Sequence, residues 1–146
     1  MRPFPLRAYS AGMKILSTRE RACKQGPEAW FTGMVWMDSI VEPTAPARGQ
    51  AVLVTFAPRA RTAWHTHPLG QTLYIVTGVG WVQKRGQAAI EIRPGDVVVI
   101  AAGEDHWHGA EAGHTMVHLA LQEADETGVN VRWGEAVTEE QYGGTG

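Results

Sequence analysis

Two short histidine clusters carry the clearest chemical signal in this chain. The first is His65-Thr66-His67-Pro68-Leu69-Gly70-Gln71, and the second, farther along, is Asp105-His106-Trp107-His108. Side chains two apart on an extended strand share a face, so His65 and His67 project together, and His106 and His108 do the same on a second strand. If both strands belong to one small barrel, several imidazoles converge on a single interior point. Convergent imidazoles are what a divalent transition metal requires, which makes a metal site the first expectation. By the same parity Trp64 and Trp107 point away from the neighbouring histidines, into packing. His114, in Glu111-Ala112-Gly113-His114, reads as an exposed turn residue.

The elements that must position these residues are short strands. Ala51–Phe56, Thr72–Val76, Gly80–Gln83, Ala89–Ile92, Val97–Ile100 and Thr115–Gln122 are runs of strand length, most of them bounded by glycine or proline turns. Many β-branched strands at this spacing predict an all-β sandwich or barrel. Trp30–Met37 reads as a further N-terminal strand, and its edge around Trp36 is a candidate for pairing with a second copy. Glu42–Ala47 reads as a polar, proline-rich connector. Thr138-Glu139-Glu140-Gln141 has the form of a capping box and predicts a short C-terminal helix. The expected organisation is an N-terminal arm and strand over 1–47, a barrel core over 48–123 and a tail with the helix over 124–146.

Composition narrows the functional classes. The 146 residues fit one domain, and a net charge of −2 gives no reason to expect nucleic acid or an anionic membrane as partner. The single cysteine, Cys23, allows no internal disulfide and suits a reducing, cytoplasmic setting. No segment reaches membrane-spanning length. Nucleophile elbows, phosphate loops and paired cysteines are all missing, so nothing competes with the histidines.

The histidine clusters and their glycines resemble the two motifs of the cupin superfamily. The first motif reads Arg59, His65, His67, Gln71 and Gly78, and the second reads Gly95, Ala101, Gly103, His106 and Ala110. Spacing is kept, while Arg59, Gln71, Ala101 and Ala110 stand where the family pattern has Gly, Glu, Pro and Asn. The resemblance covers roughly 48–122 and implies a small double-stranded β-barrel of jelly-roll type, with His65, His67, Gln71 and His106 as metal ligands. Gln71 matters chemically. Three imidazoles and an amide cancel none of a divalent ion's charge, which favours Lewis-acid chemistry over one-electron cycling. Such neutral donors suit manganese, iron, cobalt, nickel or zinc.

A narrower resemblance is to the bacterial cupin hydroxynitrile lyases that depend on manganese. It is carried by Thr62–Thr72, by His106-Trp107-His108-Gly109, by Thr115–Glu123, and by the peripheral Trp30–Gly33 and Glu139–Tyr142. It implies manganese(II) as cofactor, His118 as general base, and Thr62 and His108 beside the substrate. His118 also admits a plain reading as a core histidine bonded to a neighbour, and His108 one as a support for His106. Met116, His118, Ala120 and Gln122 share a strand face. An apolar pocket of Val52, Val54, Leu73 and Met116, with Gln122 on the same face as Met116, is expected to take the aromatic ring of a cyanohydrin such as mandelonitrile. The small molecule is the expected partner, together with further copies of the chain in a dimer or tetramer. Iron-dependent dioxygen chemistry, a lyase or isomerase step on another hydroxy-carbonyl compound, and non-catalytic small-molecule binding are the alternatives on the same constellation.

Overall fold

The computed structural model describes residues 12–145. Its strands are β1 (Lys24–Gln25), β2 (Phe31–Thr32), β3 (Val35–Val41), β4 (Gly49–Phe56), β5 (Arg61–Thr62), β6 (His65–Thr66) and β7 (Gln71–Gly78), followed by β8 (Gly80–Lys84), β9 (Ile90–Ile92), β10 (Val97–Ile100), β11 (His106–Ala110), β12 (Met116–Glu123) and β13 (Arg132–Trp133). One helix, α1 (Glu139–Gly143), comes last. Two curled antiparallel sheets form a small barrel. The first runs β1-β3-β4-β12-β7-β10; the second runs β13-β6-β11-β5-β2, with β8 on β11 and β9 on β8.

Strand alternation places the core. On β4, Val52, Val54 and Phe56 are buried; on β12, Met116, His118 and Ala120; on β7, Leu73 and Ile75. Each large apolar side chain so buried contributes roughly 1.5–3 kcal/mol. Cross-strand register turns this alternation into rungs across three adjacent strands. Gln50, Gln122 and Gln71 form one, Val52, Ala120 and Leu73 the next, and Val54, His118 and Ile75 the third. A register shift between Val117 and His118 leaves Val76 as the extra residue on β7 and keeps Ile75 pointing inward.

The segment Trp30–Met37 is not one strand. Gly33 adopts φ +80°, and a Cβ there would lie 3.0 Å from Ala60. The chain therefore bends at a position that favours glycine on both counts. Phe31–Thr32 pairs with β5 in the second sheet, while Val35–Val41 pairs with β4 in the first. The edge around Trp36 is occupied within the chain, because β1 pairs with Trp36 and Met37.

The capping box holds as expected: Thr138 Oγ1 accepts from Gln141 N, and the Gln141 side chain accepts from Thr138 N. The helix seals a second cluster of Trp64, Trp107, Val137 and Tyr142, so both tryptophans do pack away from the histidines. Arg61, only 2% exposed, ties this cluster to the barrel. Its guanidinium donates to the Val137 carbonyl at 3.0 Å and to Glu139 at 3.0 Å, and lies 4.6 Å from the centre of the Tyr142 ring. Tyr142 in turn donates its hydroxyl to the Ala110 carbonyl at 2.7 Å. The tail thereby braces β5 and β11, the strands that carry Thr62, His106 and His108. Cys23 is a free, exposed thiol. Among the described residues no helix is long and apolar enough to cross a membrane.

Gly78 is the most closely packed of the described glycines. It has φ +82°, and a Cβ there would lie 1.8 Å from the Thr115 carbonyl oxygen. Gly78→Ala is expected to cost at least about 2 kcal/mol of unfolding free energy. Urea denaturation measures it; a change below about 0.5 kcal/mol would contradict this packing.

Candidate metal centre

His65, His67, Gln71 and His106 come together on the inner face of the barrel although they arise from separate strands and a turn. His65 and His106 are paired directly across β6 and β11, with ring centroids 4.2 Å apart. The His67 ring lies 5.1 Å from that of His65 and 5.7 Å from that of His106. The tightest trio of potential donor atoms has a different membership: nitrogens of His65, His106 and His108 all lie within 4.8 Å of one another. All four histidines are buried.

Backbone carbonyls fix the polarity of three of these rings. His65 Nδ1 lies 2.9 Å from the Ala63 oxygen, His67 Nδ1 2.6 Å from that of Asn130, and His106 Nδ1 2.8 Å from that of Glu104. A carbonyl oxygen only accepts, so each Nδ1 donates and each Nε2 keeps a lone pair for the interior. His67 Nε2 is buried with no hydrogen-bond partner. His106 Nε2 faces Gln71 Oε1 at 3.2 Å, while Gln71 Nε2 donates to Gln122 Oε1 at 2.9 Å. Two acceptor atoms facing each other in a buried site repel unless a positive charge lies close by. Three imidazole nitrogens and an amide oxygen so arranged fit a divalent transition-metal ion.

His118 and His108 form a separate pair, with His118 Nε2 3.0 Å from His108 Nδ1. The outward nitrogens, His118 Nδ1 and His108 Nε2, are both buried without partners. His118 is thus bonded to a neighbour, as a core histidine would be, yet it also keeps an unsatisfied nitrogen beside a cavity. Thr62 Oγ1 accepts from the His108 backbone N–H at 3.2 Å and holds β11 in place there.

The cavity has a volume of about 160 Å³ and is bordered by Val52, Val54, Phe56, Ala120 and Gln122 as well as by Thr62 and the histidines His65, His67, His108 and His118. Leu73 and Met116 were expected along it but lie elsewhere. The cavity sits over β4 and β12. Leu73, on β7, is fully buried in the core, and Met116 packs against Gly80. Several lining residues escaped the sequence reading. Gln50 continues the alternation of Val52 and Val54 back by one step, so strand parity could have found it. Asn130 and Trp133 come from the tail, where no periodic pattern places them. Trp133 covers His65 at 4.6 Å and stacks on Trp30 at 5.3 Å. His114 is exposed and pairs with Glu111.

Burial, first of all, disfavours the charged form of every imidazole here. It lowers His67 and His118 to about 4, holds His65 and His108 well below the ordinary value, and lowers His106 against the pull of the Glu104 carbonyl. Neighbouring imidazoles add to the effect at His65 and His108. The histidines are therefore neutral at pH 7, with lone pairs available. In the unfolded chain they protonate near 6.5, and in the folded chain only well below it. Below about pH 6.5 the unfolded state binds more protons, so folding stability falls with acid and is regained as pH rises. Metal-free protein is expected to melt progressively lower between pH 7 and pH 5; a flat melting profile over that range would contradict buried, neutral histidines.

Known proteins resemble this chain in sequence and in fold. Residues 52–121 match the family model described as a cupin domain. An (R)-mandelonitrile lyase from Granulicella tundricola is 51% identical over 130 residues, covering 89% of this chain and 98% of that protein. A cupin-like protein from Thermotoga maritima superposes with a TM-score of 0.80 at 36% identity, over 88% of this chain and 96% of that one. The polyketide cyclase RemF from Streptomyces resistomycificus shares the fold, with a TM-score of 0.71 at 20% identity over 90% of this chain and 91% of that one. On sequence over most of its length and on the architecture of its barrel, the chain belongs to the cupin family.

Proposed function

We propose that this chain is a metal-dependent hydroxynitrile lyase, cleaving and forming aromatic cyanohydrins such as mandelonitrile with manganese(II) as its ion. The observation that carries the reading is the pair of facing acceptors, His106 Nε2 and Gln71 Oε1, beside an apolar cavity with a partly unsatisfied histidine pair. The Granulicella relative named (R)-mandelonitrile lyase supports the substrate class. The ligands are His65, His67, His106 and Gln71. His108 is left out of this reading, although its nitrogen lies in the tight trio, because a His118 that accepts at Nδ1 donates from Nε2 to His108 Nδ1, which puts the His108 proton on Nε2.

A divalent ion held there supplies Lewis acidity toward a substrate oxygen, with its charge undiminished by any carboxylate. The chain's own residues supply the rest. A dry cavity of about 150 Å³ takes a benzene ring, and this one of about 160 Å³ holds the aryl group against Val52, Val54, Phe56 and Ala120. His118 accepts the hydroxyl proton at Nδ1 as general base. As the carbon–carbon bond breaks, its electron pair leaves with cyanide and the carbonyl forms. The proton passes to cyanide, a far stronger base than a buried imidazole, and hydrogen cyanide departs. The His118–His108 hydrogen bond makes the pair a relay, because taking a proton at one outer nitrogen lets the other release one. The reverse sequence builds the cyanohydrin from aldehyde and cyanide.

Self-association as a dimer or tetramer belongs to the same proposal. It is supported by the outer face of the first sheet, where Tyr74, Val76, Val97, Val99 and Leu121 are exposed. Sedimentation equilibrium tests it, and a monomer at micromolar concentration would remove it.

Benzaldehyde release from racemic mandelonitrile by manganese-loaded protein tests the function. His118→Ala is expected to lower the rate by roughly 10²–10⁴ with metal content unchanged. His106→Ala and His67→Ala are expected to lose metal, and His108→Ala to keep it. Equal rates for wild type and His118→Ala would overturn the mechanism, and turnover that consumes dioxygen would overturn the reaction class.

A further inference from the structure

The rung Gln50–Gln122–Gln71 carries side chains whose amides are joined head to tail. Gln71 Nε2 donates to Gln122 Oε1 at 2.9 Å, and Gln122 Nε2 donates to Gln50 Oε1 at 2.8 Å. Asn130 Nδ2 donates to that same Gln50 oxygen, also at 2.8 Å. Asn130 meanwhile offers its backbone carbonyl to His67 Nδ1. Gln50 touches none of the imidazoles through any of these bonds, yet the chain of amides that ends on it begins at His106 and returns to His67.

From this we infer that Gln50 is a positioning residue for the metal centre: its doubly bonded oxygen fixes which end of the Gln71 amide faces the imidazoles. The inference rests on the ligand set proposed above. A cation accepts the lone pair of an amide oxygen; the NH₂ end has none to give. Left to itself, Gln71 prefers the wrong orientation. His106 Nε2 holds a lone pair, because Nδ1 donates to Glu104, so a turned Gln71 would make an ordinary N–H···N hydrogen bond to it. The orientation present sets oxygen against nitrogen and is held from the far side. Gln50 does not turn alone, because its own NH₂ would then face the NH₂ groups of Gln122 and Asn130; the rung reverses only if all four amides turn together. With Gln50 held by two donors, Gln122 is held, and Gln71 Oε1 is kept inward in readiness for the ion. The cost of ordering the ligand falls on the rung rather than on metal binding.

The full chain, stripped of metal and titrated with cobalt(II), provides the test. Gln50→Met keeps the bulk and loses the strong acceptor, and Gln50→Ala loses both. Each is expected to weaken cobalt(II) binding by roughly 10-fold or more and to shift the visible d–d bands. Gln50→Glu keeps an acceptor that no rotation can turn into a donor, so its cobalt spectrum is expected to match wild type. Met and Ala variants that fold, as judged by melting temperature, and bind within threefold of wild type would overturn the inference. So would a Glu variant whose bands shift as far as theirs. Should Gln50→Met fail to fold, Gln50→Ala and Gln50→Glu still decide. Wild-type protein that binds no cobalt would instead remove the ligand set itself, a failure distinct from loss of the Gln50 effect.

Discussion

Withdrawal of imidazoles from water is the constraint on which this molecule depends. A protonated histidine in the interior would face both desolvation and the like charge of its neighbours, so His65, His67, His106, His108 and His118 are all pressed toward neutrality. Neutral rings have one donor and one acceptor each, and those must be placed. Carbonyls of Ala63, Glu104 and Asn130 take the donors of three rings, which leaves their acceptors turned inward. The remaining two rings share one hydrogen bond and keep their outer nitrogens, one N–H and one lone pair, without partners. The interior is therefore rich in lone pairs and poor in protons, an environment made for a cation.

The parts of the fold that look peripheral serve this arrangement. Asn130 lies in the tail, past the last core strand, yet it holds His67 by its carbonyl and Gln50 by its amide. The terminal helix reaches the barrel through Arg61 and Tyr142, whose contacts bear on β5 and β11. Those strands carry Thr62, His106 and His108. The apolar walls Val52, Val54, Phe56 and Ala120 come from the first sheet, and Phe31 and Trp133 line the cavity from the second, which also carries His65 and His106. Gln71, on β7, is the proposed ligand that belongs to the first sheet.

Much of this was legible in the residues, and what was not has identifiable physical causes. Parity along strands is local information: it placed His65 with His67, Val52 with Val54, and His118 with Gln122. The capping box at Thr138 is local too, and it appeared where expected. Contacts that close through the tail are not local, so Asn130 and Trp133 had no signature. The break at Gly33 was hidden because the apolar residues on either side both suit strands; only the different sheets they join reveal it. Leu73 obeys the alternation correctly, but alternation gives a side chain's face and not which part of that face stays open. His108 entered the tight nitrogen cluster because parity puts it on the same face as His106, and only its hydrogen bond to His118 distinguishes it from that neighbour.

The crossing of the N-terminal segment between sheets has a mechanical meaning. Phe31 belongs to one layer and Val35 to the other, and only Thr32, Gly33 and Met34 lie between them. Four residue steps of about 3.3–3.6 Å give a reach of roughly 13–14 Å, not far above the roughly 10 Å by which packed sheets are separated. Phe31 lines the cavity and Val35 packs in the core beside it. The gap between the layers at that side is tethered by covalent links with little slack, so its upper limit is a property of the backbone and not of the side chains. The width that such a tether sets is a limit on what the cavity can hold, independent of any hydrogen bond made inside it.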